Sequence, residues 1–304
     1  MDTPTMPDDV TAPPTVSIRD KRIVVVLNRA SGSWNATCER EVEQLLSDSD
    51  LTNSAVLGAA PAEIDATLDR AVSEAEILVV LGGDGTIRSA AEKILGKPII
   101  LAPLPGGTMN MLPKALYGER PWKLALSDTL ANPEIHDVSG GMVGDHAFFV
   151  AALFGAPTLW ADAREAAREG HVLEAAQKSV TAARRGFSEP LHYNFGDRSG
   201  SAEAVVVVCP LISRVLDDSE RCLEAAAIET PTAGDVLRLG FHALMDDWRL
   251  DPAVSRAKVQ SASISGHGAL PVILDGERVK MGRRAEVRYL PLAFRALAPA
   301  KTPA

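Results

Sequence analysis

Residues 77–81 (ILVVL) carry no polar side chain and run directly into Gly82-Gly83-Asp84-Gly85-Thr86. That junction restricts the fold more than any other part of the chain. A short β-branched run without alternation reads as a strand buried on both faces, as in a parallel sheet covered by helices. Glycines at its end let the backbone take up positive φ and come close to a ligand. Successive N–H groups leading into a helix make a seat for phosphate oxygens. Asp84 would repel phosphate directly, so there it would act through a cation, a ribose hydroxyl or an acceptor's proton. A tight turn using Gly and Asp for geometry alone would carry the same letters.

The pattern recurs twice. Residues 23–27 (IVVVL) precede Asn28-Arg29-Ala30-Ser31-Gly32, and a strand over 98–102 precedes Pro105-Gly106-Gly107-Thr108-Met109-Asn110. Between these lie helical stretches at 37–46, from Pro61 to about Val72, and at 86–95, with a short strand near 54–57. Such alternation predicts a parallel sheet whose ligands sit beyond the carboxyl ends of its strands. All three glycine-bearing loops fall at such ends. Any one is an ordinary connection; three together are hard to account for by turn chemistry.

From about Ile135 the pattern becomes β-rich, with strands expected at 147–153, 204–210, 223–229, 258–265 and 271–274. Helical insertions are expected at 160–185 and 232–248. The fold class is therefore α/β in two domains: an N-terminal parallel α/β domain over 21–135 and a C-terminal β-sandwich-like domain over 136–284. Residues 1–20, rich in Pro, Thr and Asp, read as a disordered tail.

A formal charge of −9 argues against a nucleic-acid partner, because phosphate backbones are bound by basic surfaces. Three scattered cysteines, Cys38, Cys209 and Cys222, fit a reducing, cytoplasmic setting better than a disulfide framework. No apolar run approaches the ~20 residues of a membrane helix. A lipid substrate would therefore be met from the cytosol, peripherally at the inner face of the membrane. The 160–185 helix has basic residues that could meet anionic headgroups, although its apolar stripe also suits core packing.

The order Asn-x-x-Ser-Gly, Gly-Gly-Asp-Gly-Thr and Gly-Thr-x-Asn resembles the catalytic domain of the diacylglycerol kinase family, which includes sphingosine, ceramide and bacterial lipid kinases. Asp275-Gly276-Glu277 is similar to that family's Asp-Gly-Glu, and residues 289–295 (YLPLAFR) to its ending. The resemblance implies an NAD-kinase-like α/β ATP domain, a β-sandwich, a cleft between them, and a last segment (about 285–298) that returns to the first domain. It implies ATP and Mg2+ as cofactors and a lipid with a free hydroxyl as acceptor, with transient contact at a membrane surface and a place in phospholipid metabolism. A homodimer is compatible with it.

Carried over, Gly82, Gly83, Asp84, Gly85, Thr86, Ile87, Arg88, Gly107, Thr108 and Asn110 would contact ATP, with Asn28, Ser31 and Gly32 at its phosphates. Glu277 would accept the hydroxyl proton, with Asp275 beside it and Asp84 as the rival base. Two departures stand out. Met111 occupies a position where bacterial members carry Asp, and Asp217-Asp218-Ser219 replaces an Asp-Asp-Gly-like turn, weakening a metal site at Asp217 and Asp218. Two other readings stay open: an NAD kinase, which the lack of an Asn-Glu dipeptide disfavours, and a nucleotide- or lipid-binding relative without turnover.

Overall fold

The computed structural model describes residues 17–155, 190–213, 215–216, 220–228 and 254–300. The expected helices at 160–185 and 232–248, and Asp217 and Asp218, lie outside those residues.

Four strands, β1 (Ile23–Asn28), β2 (Ser54–Ala59), β3 (Ile77–Gly82) and β4 (Ile100–Pro105), pair in parallel in the order β2-β1-β3-β4. Five helices follow or connect them: α1 (Cys38–Asp48), α2 (Ile64–Glu74), α3 (Asp84–Lys93), α4 (Met111–Tyr117) and α5 (Trp122–Ala131). The period of two in a strand explains why β1 and β3 are apolar throughout. Val24, Val26, Leu78 and Val80 pack with Leu68 of α2 and Ile87, Ala90 and Ala91 of α3. Their neighbours Val25, Leu27, Val79 and Leu81 face the other way, onto Val42 and Leu46 of α1 and Ala125 and Leu126 of α5. Each run thus feeds two cores. Ile18, which composition assigned to the tail, is buried in the second of them.

The chain then builds β5 (Pro133–Val143), β6 (His146–Phe148), β7 (Ala151–Gly155), β8 (Leu191–Asn194), β9 (Ser199–Ala202), β10 (Ala204–Val208), β11 (Leu223–Ile228), β12 (Val254–Val259), β13 (Ser261–Ser265), β14 (Pro271–Leu274), β15 (Glu277–Lys280) and β16 (Arg284–Pro299). A separate sheet, β12-β11-β10-β7-β14-β15, is antiparallel. The first sheet continues past β4 through β16 to β13, β8 and β9. Phe148, Ile264 and Val287 from one sheet and Phe154, Val205 and Val207 from the other share a core, which makes the second half a sandwich.

β16 joins the two halves. Its carboxyl end runs parallel to β4 at Arg295↔Ile100 and Ala296↔Leu101, while its amino end pairs with β13. The return implied after about residue 285 therefore reaches the parallel sheet only at Arg295.

Two expected strands are each two strands. The one at 258–265 breaks at Gln260, whose carbonyl accepts from the Tyr289 N–H (2.8 Å), and its halves belong to different sheets. The one at 147–153 breaks at Phe149 and Val150, whose amides turn toward a carboxylate described below.

Candidate active site

The three glycine-bearing loops meet, because β1, β3 and β4 are neighbours and all three loops leave from carboxyl ends. The Gly106 N–H donates to the Gly82 carbonyl (2.9 Å) and the Ser33 N–H to the Gly106 carbonyl (3.0 Å). Asn28 Nδ2 donates to Thr86 Oγ1 at 2.9 Å, tying the first loop to the second. This closeness needs glycine. A Cβ on Gly106 would stand 2.8 Å from Gly82 N, and one on Gly107 would stand 2.7 Å from Gly83 Cα.

Asn110 takes a left-handed conformation (φ 51°) and closes its own loop, accepting from the Gly107 N–H at 2.7 Å and donating to its carbonyl at 2.8 Å. Asp84 reaches across from the β3 loop. Its two oxygens accept from the Asn110 N–H (3.0 Å) and the Met111 N–H (2.7 Å), the open amides at the start of α4. Its ionised form is thereby occupied in joining two loops. Thr108 is exposed at the rim, and Gly32 is exposed beside Ser31. The Ser31 hydroxyl is buried and, among the described residues, has no hydrogen-bond partner.

Two expected ATP contacts point elsewhere. The Ile87 side chain is buried in the core under the sheet. The Arg88 guanidinium is buried, pairs with Glu92 (2.7 Å) and donates from Nε to the Ala147 carbonyl of β6 (3.4 Å). Met111, where an acid was expected from the resemblance, is partly buried against the same core.

Asp275 and Gly276 form the two-residue turn between β14 and β15, both with positive φ (49° and 93°). That is the conformation an Asp-Gly hairpin favours. The turn is nonetheless part of the site. The Asp275 carboxylate accepts three backbone hydrogen bonds, from Phe149 (2.7 Å), Val150 (2.9 Å) and Ala151 (2.9 Å). The residue as a whole keeps intermediate exposure, but this group is enclosed. Burial raises its carboxyl from the usual 3.8 to about 6, against the three amides and Arg88, which pull it down. The thiol of Cys209 nearby is pushed up by burial and then by the Asp275 charge.

Glu277 differs from both aspartates. It is exposed, and its Oε1 lies 2.6 Å from where a Cβ on Gly85 would stand. Among the described residues its carboxylate has no hydrogen-bond partner. The hairpin thus sets one uncommitted carboxylate over the first turn of α3, beside the interlaced loops. Sequence reading did not find the amides of Phe149, Val150 and Ala151, since a backbone donor leaves no mark in side-chain identity. Nor did it find that Gly85 is bare because Glu277 fills the space.

Residues 22–143 match the family model of the diacylglycerol kinase catalytic domain. This part of the chain is similar to that domain. The diacylglycerol kinase fold extends beyond it. A structure titled "putative diacylglycerol kinase" from Bacillus anthracis str. Sterne superposes with a TM-score of 0.72 at 15% identity, covering 92% of this chain and 98% of that one. A second, titled as a diacylglycerol kinase from the same strain, gives 0.67 at 14% identity over 92% and 98%. At such identities the likeness speaks for the fold, which is the two-sheet arrangement seen here. Among the described residues no helix is long and apolar enough to cross a membrane.

Proposed function

We propose that the chain is an ATP-dependent lipid kinase that transfers the γ-phosphoryl group to a hydroxyl of a diacylglycerol-like lipid, with Glu277 as the proton acceptor. One observation carries this reading. Of the three carboxylates assigned to the chemistry, Asp84 and Asp275 are held by backbone amides, and Glu277 stands over the glycine loop with no hydrogen-bond partner among the described residues.

The loops suit a polyphosphate. The orphaned Ser31 hydroxyl is a buried group in want of a partner, and the open backbone at Gly32 and Gly83 admits phosphate oxygens. ATP would supply the transferred group, and magnesium would offset the charge on its phosphates. Asp84, with lone pairs left on both oxygens, is the acid of these loops that would share such an ion; among the described residues no group of three ligating side chains forms a cage. Magnesium commonly rides on phosphates with one or two carboxylates. Thr108 and the Asn110-braced loop would set the far wall of the phosphate seat. Positioning supplies most of the acceleration in phosphoryl transfer, and a base adds ~10²–10⁴-fold.

The acceptor would come from a membrane surface reached from the cytosol. A non-catalytic binding relative is the second reading, favoured by Met111 alone. Purified protein given labelled ATP, Mg2+ and extracted lipids should phosphorylate a lipid, and Glu277→Gln should reduce that transfer by ~10²-fold or more. Transfer to NAD in place of lipid would overturn the lipid assignment. Nucleotide binding with no acceptor at all would favour the second reading.

A further inference from the structure

We propose that Asp275 and Arg88 are positioning residues, forming a brace that holds the β14–β15 turn against the β6–β7 junction so that Glu277 stands over Gly85. The inference rests on the kinase reading for its catalytic consequence, though the brace itself can be measured without it.

Three of its parts are in the geometry. The Asp275 carboxylate takes the N–H groups of Phe149, Val150 and Ala151, where β6 gives way to β7. The Asp275 N–H in turn donates to the Ala151 carbonyl at 2.9 Å, so turn and junction are bonded in both directions. From the other side Arg88, one turn along the helix that begins at the glycine loop, reaches the Ala147 carbonyl and lends its charge to Asp275. Glu92 holds Arg88 in that pose. The element carrying Glu277 and the element carrying Gly85 are thereby fixed to the same five-residue stretch, 147–151.

The brace also accounts for why these two charged groups are buried. A carboxylate satisfied by three amides and facing a guanidinium tolerates enclosure, whereas a base must reach the substrate proton. A displacement of about 1 Å in a reacting group can cost ~10²-fold in rate, so a brace of this kind would show as a kcat effect with nucleotide affinity spared.

The test compares Asp275→Asn, Asp275→Ala, Arg88→Met and Glu277→Gln in the full chain. Three quantities are read: amide hydrogen exchange over residues 147–151, affinity for a fluorescent ATP analogue, and kcat and KM for ATP in lipid phosphorylation. Asn can keep an acceptor oxygen toward Val150 and Ala151 and loses the one facing Phe149. Asp275→Asn should therefore accelerate exchange at Phe149 alone and reduce kcat by ~10-fold, and Asp275→Ala should accelerate all three amides and reduce kcat by ~10²-fold. Arg88→Met should accelerate exchange at 147–151 and leave analogue affinity within about twofold.

Several results would overturn the brace. One is Asn and Ala variants equally inactive, as for Glu277→Gln, with exchange unchanged, since that describes a group touching the reacting atoms. Another is loss of analogue affinity in Arg88→Met with normal exchange, which would make Arg88 an ATP ligand. If Asp275→Ala fails to fold, Asp275→Asn and Arg88→Met decide the matter. If the wild type phosphorylates no lipid, the kinase reading fails, while exchange in those two variants still supports or sinks the brace.

Discussion

Gly85→Ala separates chemistry from stability at this site. The new methyl group would stand 2.6 Å from Glu277 Oε1, and the next atoms it meets, at 3.5 and 3.8 Å, belong to the same side chain. Ordinary contact begins near 3.4 Å, so the carboxylate must retreat by roughly 0.8 Å, and an exposed glutamate can do so at little cost. Gly85 is the second residue of α3, where alanine is the better helix former by about 0.5–1 kcal/mol. The expected protein is as stable as the wild type or slightly more so, by urea unfolding, yet turns over ~10²-fold more slowly with KM for ATP little changed. Stability and rate move in opposite directions only if Glu277 does its work from this spot. A Gly85→Ala enzyme with wild-type kcat would refute the role given to Glu277. A matching fall in unfolding free energy would show instead that the residue serves the fold.

Asp84→Ala strips the acceptor from two part-buried amides at the start of α4; a loss of about 2–4 kcal/mol in urea unfolding is expected, and a change below about 0.5 kcal/mol would exclude the capping role. Gly107→Ala meets backbone, Gly83 Cα at 2.7 Å, and also crowds Asn110 Oδ1 at 3.3 Å. It should cost about 1–3 kcal/mol and weaken ATP-analogue binding, and unaltered affinity would detach this loop from the nucleotide. Asp275 predicts a pH dependence. Its carboxyl lies at about 6 in the folded chain against 3.8 when unperturbed, so the folded state holds a proton that the unfolded state has released. The stability this group contributes is complete below its unfolded value and is lost as pH rises through about 6, by roughly 2–3 kcal/mol. The difference in unfolding free energy between wild type and Asp275→Asn should shrink accordingly from about pH 4 to 7, and a flat difference would remove the assignment.

The parallel half was legible because its signals are local. Apolar runs with no alternation announce strands buried on both faces, and Gly106 and Gly107 are demanded by backbones that nearly touch, while Gly82 makes room for the Thr86 side chain. The Asp-Gly-Glu turn was legible twice over, as a hairpin and as a site, and it is both. Other features depend on partners far away in sequence. Asp275 binds amides more than a hundred positions earlier, so nothing beside it distinguishes a clamp from a base. Arg88 follows the glycine loop directly, but the helix carries it round to the covered side facing β6. The stretch 258–265 shifts its alternation by one residue at Gln260 and Ser261, with Val259 buried before the shift and Ala262 and Ile264 after it, and the two halves pair with different sheets.

β16 has a mechanical consequence. A single strand lends one end to β4 and the other to β13, so the parallel half and the sandwich are joined through one backbone, whose pairing with β5 shifts register between Leu290 and Phe294. Excision of residues 22–143 would leave the flank of β4 bare, an open template for sticking to other chains. Both halves should accordingly melt together.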